Sequence, residues 1–446
     1  MKGRSILSVS LLLAPVQAVL RAGELLLPLL LAAWFGRSAA TDVYYFSWAV
    51  FTFAGSLVFA AYLDSALIPI LAEIRLRDRR ELPAVTGALI GHTLLYGALL
   101  AALVGAGALA AFGARYRGAD FTLAAAMVPA FSVYLVALSL KTLFAAMLNA
   151  EHRFFAHPVA SALGVAATIG VIALGRGKLG VAVIPYASLA GELVAVAALL
   201  AVALGPARMR FVLSLARPEP LLAFARLSVA QLSGSAVVRL NPVVDMLVAG
   251  FTGVVGGGTL LRYVGDVAYL PTSLLQAAVL SVLLSHLSDD FARRDLARVR
   301  RTVVVTLASV AALLATAGAL LFVLRAPLLR LVYLRGQMDA AGVAQMAEIM
   351  PYYLAGLVPF GALLVFARAH VALRNSTIML SMAVLNAACN AALNLALVHP
   401  LGLRGIALST ACTNLVVAVV FWFRLEARLR RLASSSDLAG GAPARG

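Results

Sequence analysis

Residues 40–73 have the sequence ATDVYYFSWAVFTFAGSLVFAAYLDSALIPILAE, and this apolar run has the composition of a membrane-spanning helix. At about 1.5 Å per residue, a helix of this length exceeds the roughly 30 Å hydrocarbon core of a bilayer. Asp42 lies near its start and Asp64 near its end. A carboxylate that faces lipid is costly, so each acid either stabilises a helix end in the headgroup region or faces a polar cavity. The stretch predicts a membrane protein and leaves both locations open for the two acids.

The composition of the whole chain indicates an all-α polytopic membrane protein. Of its 446 residues, 63% are hydrophobic and 12% are charged, and the mean hydropathy is +0.97. Soluble domains carry about 25% charged residues. The net charge of +17 comes from basic residues between the apolar runs, which is typical of topology signals and of contacts with anionic lipids. We therefore predict membrane lipids as partners and no nucleic acid.

Apolar runs separated by polar or basic breaks predict about twelve transmembrane helices. Their approximate limits are 6–35, 41–72, 83–113, 121–149, 156–175, 180–204, 222–252, 259–287, 302–324, 343–369, 376–398 and 402–424. Loops on the side of the N-terminus are richer in arginine than the opposite loops, as in residues 75–80 and 293–301. By the positive-inside rule, both termini are predicted to lie in the cytoplasm, with the chain crossing the bacterial cytoplasmic membrane.

The two halves of the chain resemble each other. Residues 179–197 align with residues 401–419 through shared Leu, Gly, Ile and Val positions, and a charged loop follows the second span of each half. This pattern predicts two six-helix lobes related by pseudo-two-fold symmetry around a central cleft. The predicted divisions are an N-terminal lobe, a cytoplasmic linker, a C-terminal lobe and a disordered cytoplasmic tail, at residues 1–204, 205–221, 222–425 and 426–446.

Motifs for catalysis are missing from the sequence, which has no P-loop, HExxH motif, nucleotide-binding glycine fingerprint or CxxC pair. Cys389 and Cys412 lie in apolar runs, and the histidines have no ligand spacing, so we predict neither a disulfide nor a metal site. We expect a transporter rather than an enzyme, with no catalytic residue and no cofactor. Without a nucleotide site, a gradient-driven or passive transporter is favoured over a pump, and Na⁺ and H⁺ are the candidate coupling ions.

Charged and polar residues inside the predicted spans form the candidate binding site. Spans 1, 2, 7 and 8 are the first pairs of the two halves, so their charges are expected to converge on the central cleft. The predicted binding group for an anionic headgroup consists of Arg21, Arg239, Asn241 and Arg262. The acids that would balance these arginines or bind a coupling cation are Glu24, Asp42, Asp64, Asp245 and Asp266. Alternatively, Arg21–Glu24 and Arg262–Asp266 are self-neutralising pairs that let helices pack.

Two further charges lie inside spans 4 and 6. Lys141 either contributes to the cleft or extends its ammonium group towards the interface. Glu192 either contributes to the cleft or pairs within its own half.

Short motifs occur in a defined order along the chain. The second span carries Ala40-Thr41-Asp42 and, 27 residues after the Asp, Pro69-Ile70-Leu71-Ala72-Glu73. The motifs that follow are Leu148-Asn149-Ala150, Arg153-Phe154, Pro158, Tyr263-Val264-Gly265-Asp266, Pro271, Gly402, Gly405 and Leu408-Ser409. In order and spacing these motifs resemble the MurJ/MviN-type lipid II flippases of the MOP exporter superfamily, and the resemblance extends to about residue 425.

The resemblance implies arginines in spans 1, 2 and 8, and here the chain departs from the family. Arg21 matches the first arginine position of span 1. The second arginine position of that span falls among Leu26, Leu27 and Pro28, so it has no equivalent here. Gly55 and Val267 occupy the positions in spans 2 and 8, and Arg262 lies about one turn from the latter. We also expect a divergent member that lacks the family's last two helices.

The resemblance implies a monomeric flippase that moves a polyprenyl-diphosphate-linked saccharide, lipid II or a related cell-envelope precursor, by alternating access. One alternative is a cation-coupled exporter of amphipathic small molecules, as in the multidrug branch of the superfamily. A second alternative is a degenerate flippase that acts as a scaffold without transport.

Overall fold

The computed structural model describes residues 23, 26–62, 67–219, 221–222, 239–278, 280–293, 295–373, 375 and 377–440, and most of these residues lie in helices. The helices of its first part are α1 (Leu26–Phe35), α2 (Ala39–Tyr62), α3 (Leu67–Arg77), α4 (Leu82–Arg115), α5 (Gly118–Ala150), α6 (Ala156–Leu179) and α7 (Val183–Leu204). Those of its second part are α8 (Asn241–Ala249), α9 (Gly257–Ala268), α10 (Leu270–Ala278), α11 (Leu280–Ala292), α12 (Leu296–Tyr333), α13 (Ala340–Leu354), α14 (Leu357–Ala372), α15 (Ile378–Leu401) and α16 (Leu403–Gly440).

The chain divides into two compact units. Unit 1 comprises Met1–Arg239 together with Arg335–Met338, and unit 2 comprises Leu240–Leu334 together with Asp339–Gly446. The short segment 335–338 joins unit 1 through backbone contacts with the end of α1, where Gln337 N donates a 2.8 Å hydrogen bond to Ala33 O. Gly336 adopts a positive φ of 61° there, and a Cβ at this position would lie 2.0 Å from Ala33 O.

Helices α6 and α7 of unit 1 form an antiparallel hairpin with glycines at its turn and between its two helices. Gly180 turns the chain at a φ of +54°, a conformation that favours glycine. Further along the hairpin, a Cβ on Gly191 would lie 2.5 Å from Gly164 O and 2.1 Å from Thr168 Oγ1. The missing side chains therefore permit a close approach of the two helix backbones.

The segment that follows α7 lies along α4. Val212 N donates a 3.0 Å hydrogen bond to Pro83 O. A Cβ on Gly87 would lie 1.9 Å from Val212 O, and one on Gly91 would lie 2.2 Å from Ser214 O. The predicted inter-lobe linker thus begins as an extended segment that packs against two glycines spaced one helical turn apart.

Two predicted spans of unit 2 are interrupted. The predicted span 259–287 breaks at Tyr269, because Pro271 has no backbone N–H to continue the ladder of α9. The predicted span 343–369 breaks after Leu354, and α13 and α14 meet at a bend of 43°. Pro351 precedes this bend, and a Cβ on Gly356 would lie 2.9 Å from Ala411 Cα. Proline and close packing therefore bend the chain at these positions.

The predicted disordered tail at 426–446 is wrong over its first part, because α16 continues to Gly440. Residues 426–432, EARLRRL, are mostly good helix formers. Leu425 and Leu429 are buried, and Arg300 Nε lies 2.8 Å from Glu426 Oε1. Packing of one helix face thus extends α16 beyond its predicted end at residue 424.

Six helical stretches of the described chain, or seven if α13 and α14 form one span, are long and apolar enough to cross a bilayer. They are Arg79–Arg115, Gly118–Ala150, Ala156–Leu204, Leu296–Tyr333, Ile378–Leu401 and Leu403–Ser434. The stretch Ala156–Leu204 contains both α6 and α7. An all-helical membrane fold is thereby confirmed, while much of predicted spans 1 and 7 lies outside the described residues.

Candidate functional site

Three of the predicted site residues, Arg21, Glu24 and Asp64, lie outside the described residues. Arg239 is exposed in the turn before α8 and belongs to unit 1. Their predicted roles in headgroup binding therefore stay predictions.

Arg262 and Asp266 form an ion pair on α9 of unit 2. Arg262 Nε lies 3.2 Å from Asp266 Oδ2, and the two residues are spaced i,i+4 on one face of the helix. Their side chains are 43% and 30% exposed. The predicted pair is confirmed, and it leaves the guanidinium within reach of a ligand at the helix surface.

Asp42 lies in the first turn of α2. Ser38 and Thr41 cap this helix reciprocally, since each backbone N–H donates to the other residue's hydroxyl, at 2.8 Å and 3.1 Å. A carboxylate in a first turn interacts favourably with the helix dipole. Burial raises the pKa of Tyr116 in the α4–α5 turn, and the charge of Asp42 raises it further. The position of Asp42 thus agrees with a role at the helix end.

Asn241 and Asp245 contact α15 through two short hydrogen bonds within unit 2. Asn241 Nδ2 donates to Asn386 Oδ1 at 2.6 Å, and Asn394 Nδ2 donates to Asp245 Oδ1 at 2.6 Å. The two residues of α8 are spaced by four, and their partners by eight, so one face of α8 runs along one face of α15. Asn241 Oδ1 is buried and accepts no hydrogen bond from the described residues.

Asn394 is the centre of this polar cluster. It also donates a 3.2 Å hydrogen bond to Asn390 Oδ1, and it accepts one from the Ser409 hydroxyl on α16. Asn390, Asn394 and Ser409 are fully buried. We call Asn241, Asp245, Asn386, Asn390, Asn394 and Ser409 the asparagine cluster.

The asparagine cluster contains a carboxylate, amide groups and a hydroxyl, which are the ligand types of small hard cations, and in this arrangement Asn394 directs its amide N–H groups at Asp245 and Asn390. Softer metals are not indicated, since no group of three His, Cys, Asp or Glu side chains with suitable geometry occurs in the described chain. The polar residues on α15 are not among the site residues predicted from the sequence. Their signal was the spacing of four between Asn386, Asn390 and Asn394 in an otherwise apolar span.

Lys141 and Glu192 form a second ion pair, in unit 1, and most of its surface is buried. Lys141 Nζ lies 2.7 Å from Glu192 Oε1, and the side chains are 15% and 14% exposed. Pairing of Glu192 within its own half is thus confirmed, whereas the extension of Lys141 towards the interface is wrong. The second carboxylate oxygen of Glu192, Oε2, has no hydrogen-bond partner among the described residues.

The two positions without the family's expected arginines lie inside helices. Gly55 is buried in α2, and Val267 is half-buried in α9 beside Asp266. Neither helix carries a charged residue in place of the missing arginine at these positions.

A family model described as "Lipid II flippase MurJ" matches residues 31–438 of the sequence. The chain belongs to the lipid II flippase MurJ family. The resemblance deduced from the sequence motifs is thereby confirmed.

A curated relative of this MurJ-family chain is the probable lipid II flippase MurJ of Rhizobium meliloti (strain 1021). The two are 27% identical over 335 residues, which cover 72% of this chain and 60% of the relative. This chain therefore matches less than two thirds of the length of that relative.

Solved structures show which fold the MurJ-family chain adopts. It superimposes on a lipid II flippase MurJ in an inward closed conformation with a TM-score of 0.78 and 19% identity, over 96% of this chain and 91% of that one. An inward-facing multidrug resistance MATE family transporter of the MOP superfamily gives a TM-score of 0.75 and 15% identity, over 98% and 97%. At these identities the likenesses establish the fold alone, which this chain shares with both transporters.

Proposed function

We propose that the chain is a flippase that moves a polyprenyl-diphosphate-linked saccharide, lipid II or a related cell-envelope precursor, across the bacterial cytoplasmic membrane. The observation that carries this proposal is the family match over residues 31–438. It agrees with a curated relative that is named a probable lipid II flippase. No catalytic residue is part of the proposal, because transport needs binding and a change of access rather than bond chemistry.

The architecture proposed for this function has twelve spans in two six-helix lobes, residues 1–204 and 222–425, with a central cleft and both termini in the cytoplasm. The linker 205–221 joins the lobes, and the protein acts as a monomer. The end of α7 at Leu204 and the extended segment after it support the first boundary. Alternating access would expose the cleft to each side of the membrane in turn.

Headgroup binding is proposed to use Arg21, Arg239, Asn241 and Arg262. A guanidinium matches a phosphate oxygen pair with two parallel hydrogen bonds, which suits a diphosphate. The Asp266 carboxylate forms an ion pair with Nε of Arg262. In the absence of substrate, the acid would therefore keep the guanidinium in place and balance its charge. Binding then replaces one anionic partner of the arginine by another, which limits the cost of desolvation.

Flipping of a fluorescent lipid-linked oligosaccharide by the purified chain in liposomes tests this proposal. The double variant Arg21→Gln plus Arg262→Gln is expected to flip at least about tenfold more slowly, since each charge-assisted hydrogen bond contributes roughly 1.5–3 kcal/mol. Arg330→Gln is the matched control, because Arg330 is an exposed arginine of the same unit. If the double variant flips as fast as the parent, these arginines do not bind the headgroup.

Cation coupling is proposed to use the asparagine cluster, with Na⁺ or H⁺ at Asp245. Its support is the convergence of the Asp245 carboxylate, Asn394 and Ser409 in a buried site. Asp245→Asn is expected to abolish acceleration of flipping by an imposed Na⁺ or proton gradient, whereas the exposed Asp289→Asn keeps it. Equal acceleration in both variants would exclude Asp245 as the coupling residue.

A cation-coupled exporter of amphipathic small molecules is the second candidate function. The observation that favours it is the same buried carboxylate, because an acid-centred site suits cation-driven export. Cells that express the chain would then tolerate cationic drugs better than cells that express Asp245→Asn. An unchanged drug profile together with flipping in liposomes would exclude this candidate.

A scaffold that binds lipid-linked precursor without moving it is favoured only by Gly55 and Val267, which leave two family positions uncharged. The liposome assay separates this candidate from the flippase. Binding of the lipid-linked oligosaccharide with no flipping under any gradient would establish the scaffold.

A further inference from the structure

A pocket of about 330 Å³ opens on unit 2, where α12 and α13 meet the start of α16. Its polar lining consists of Arg325, Glu348, Tyr352 and Arg404. These four residues are outside the proposed headgroup site and the asparagine cluster. Two cationic groups and one anionic group thus share a single pocket.

The charges in this pocket are held apart. Arg325 Nη1 donates a 2.5 Å hydrogen bond to Phe322 O, and its Cζ lies 4.5 Å from the centre of the Phe322 ring. These contacts fix the guanidinium on its own helix. Within the described chain, the side chains of Glu348, Tyr352 and Arg404 form neither a hydrogen bond nor an ion pair. Glu348 is therefore farther from both arginines than the roughly 4 Å of an ion pair.

Around this pocket, charged side chains lie next to exposed apolar side chains of α12. Arg325 follows the apolar run of α12 and lies eight residues, about 12 Å, before the end of this helix. Arg404 is the second residue of α16. Val323 and Leu331 on the same helix are 71% and 72% exposed. A ligand that fits these surroundings has a polar head and apolar chains.

We infer that this pocket binds the headgroup of a phosphatidylethanolamine lipid that is resident in the membrane and is not the transported substrate. The phosphate would bind Arg325 and Arg404, because guanidinium groups suit phosphate oxygens. The ammonium group of the same headgroup would bind Glu348, with Tyr352 beside it. A zwitterion of this kind supplies an anionic group for the two arginines and a cationic group for Glu348.

Two other phospholipid headgroups match the charges of this pocket less well. Phosphatidylglycerol has the phosphate but no cation for Glu348. Phosphatidylcholine has a cation whose methyl groups cannot donate hydrogen bonds to a carboxylate. The pocket therefore predicts a preference that depends on the N–H groups of ethanolamine.

Native mass spectrometry of the full chain in detergent tests this inference with the three phospholipids at identical acyl composition. The parent is expected to retain one phosphatidylethanolamine about tenfold more strongly than either of the other two, which corresponds to about 1.4 kcal/mol. Arg325→Gln and Arg404→Gln are expected to lose this bound lipid. Arg330→Gln, a change of an exposed arginine outside the pocket, is expected to keep it.

Glu348→Gln is the decisive variant, because it removes the anionic partner and keeps both arginines. It is expected to bind phosphatidylethanolamine and phosphatidylglycerol equally, with the same thermal unfolding temperature as the parent. The inference is overturned if the parent shows no headgroup preference, or if Glu348→Gln keeps the preference for phosphatidylethanolamine.

Discussion

Lys141 on α5 and Glu192 on α7 form a buried ion pair at 2.7 Å in unit 1, with side chains 15% and 14% exposed. Removal of one partner would leave a buried, uncompensated charge. Replacement of both partners by apolar side chains would leave none. This asymmetry gives the first of four predictions.

Lys141→Met is expected to destabilise the protein by about 3–5 kcal/mol, because Glu192 would remain charged and buried. The double variant Lys141→Met plus Glu192→Met is expected to recover most of this loss. Thermal unfolding in detergent measures both, with the exposed Lys178→Met as a control. Additive losses in the double variant would show that the pair does not act as a unit.

Gly191→Ala is expected to lower stability by roughly 1–3 kcal/mol, because the new Cβ would meet Gly164 O at 2.5 Å. Gly170→Ala on α6 is the matched control, since nothing lies within 4 Å of its Cβ position. The control should be neutral or stabilising by up to about 1 kcal/mol, as alanine favours a helix more than glycine does. Equal unfolding temperatures for the two variants would contradict the close approach of α6 and α7.

Ser409→Ala is expected to cost about 1 kcal/mol more stability than Ser139→Ala. Both hydroxyls are buried and lie within hydrogen-bond distance of a carbonyl of their own helix. The single proton of the Ser409 hydroxyl is shared between that carbonyl and Asn394 Oδ1 on α15. Comparison of the two unfolding curves in urea or by heat isolates this contact between α15 and α16, and indistinguishable curves would refute its contribution.

Gly87→Ala is expected to release the segment after α7 from α4, since its Cβ would lie 1.9 Å from Val212 O. Limited trypsin digestion detects the release as faster cleavage after Arg208 and Arg210, neither of which is followed by proline. A loss of about 1–2 kcal/mol in docking raises the open population by roughly 5–30-fold. Gly107→Ala on the same helix has open space around it and should be cleaved at the parental rate. Unaltered cleavage in Gly87→Ala would show that the glycine does not hold the segment.

Helix positions were predictable where hydropathy alone determines them. The predicted limits 83–113 and 121–149 fall within two or three residues of α4 and α5, because long apolar runs must cross the bilayer as helices. The break at Tyr269 has a local cause in the sequence, because Pro271 lacks a backbone N–H. The end of α16 was not predictable in the same way, since it depends on burial of Leu429 and on the pairing of Glu426 with Arg300.

Contacts between polar side chains were harder to predict from the sequence than the positions of helices. Arg262 and Asp266 are neighbours on one helix, so their spacing sufficed to predict the pair. Asp245 and Asn394 are 149 positions apart, and only the packing of α8 against α15 brings them together. The pairing of Lys141 with Glu192 has the same origin, because side chains from two helices meet only after the hairpin and its neighbours have packed.

The asparagine cluster also has a mechanical consequence. Hydrogen bonds are directional, so α8 cannot rotate about its axis or slide along α15 without breaking the bonds of both Asn241 and Asp245. These two helices are therefore expected to move together as one rigid body. Bending within unit 2 has to occur at pivots elsewhere, and the interruptions at Tyr269 and Gly356 are the places where its backbone is already hinged.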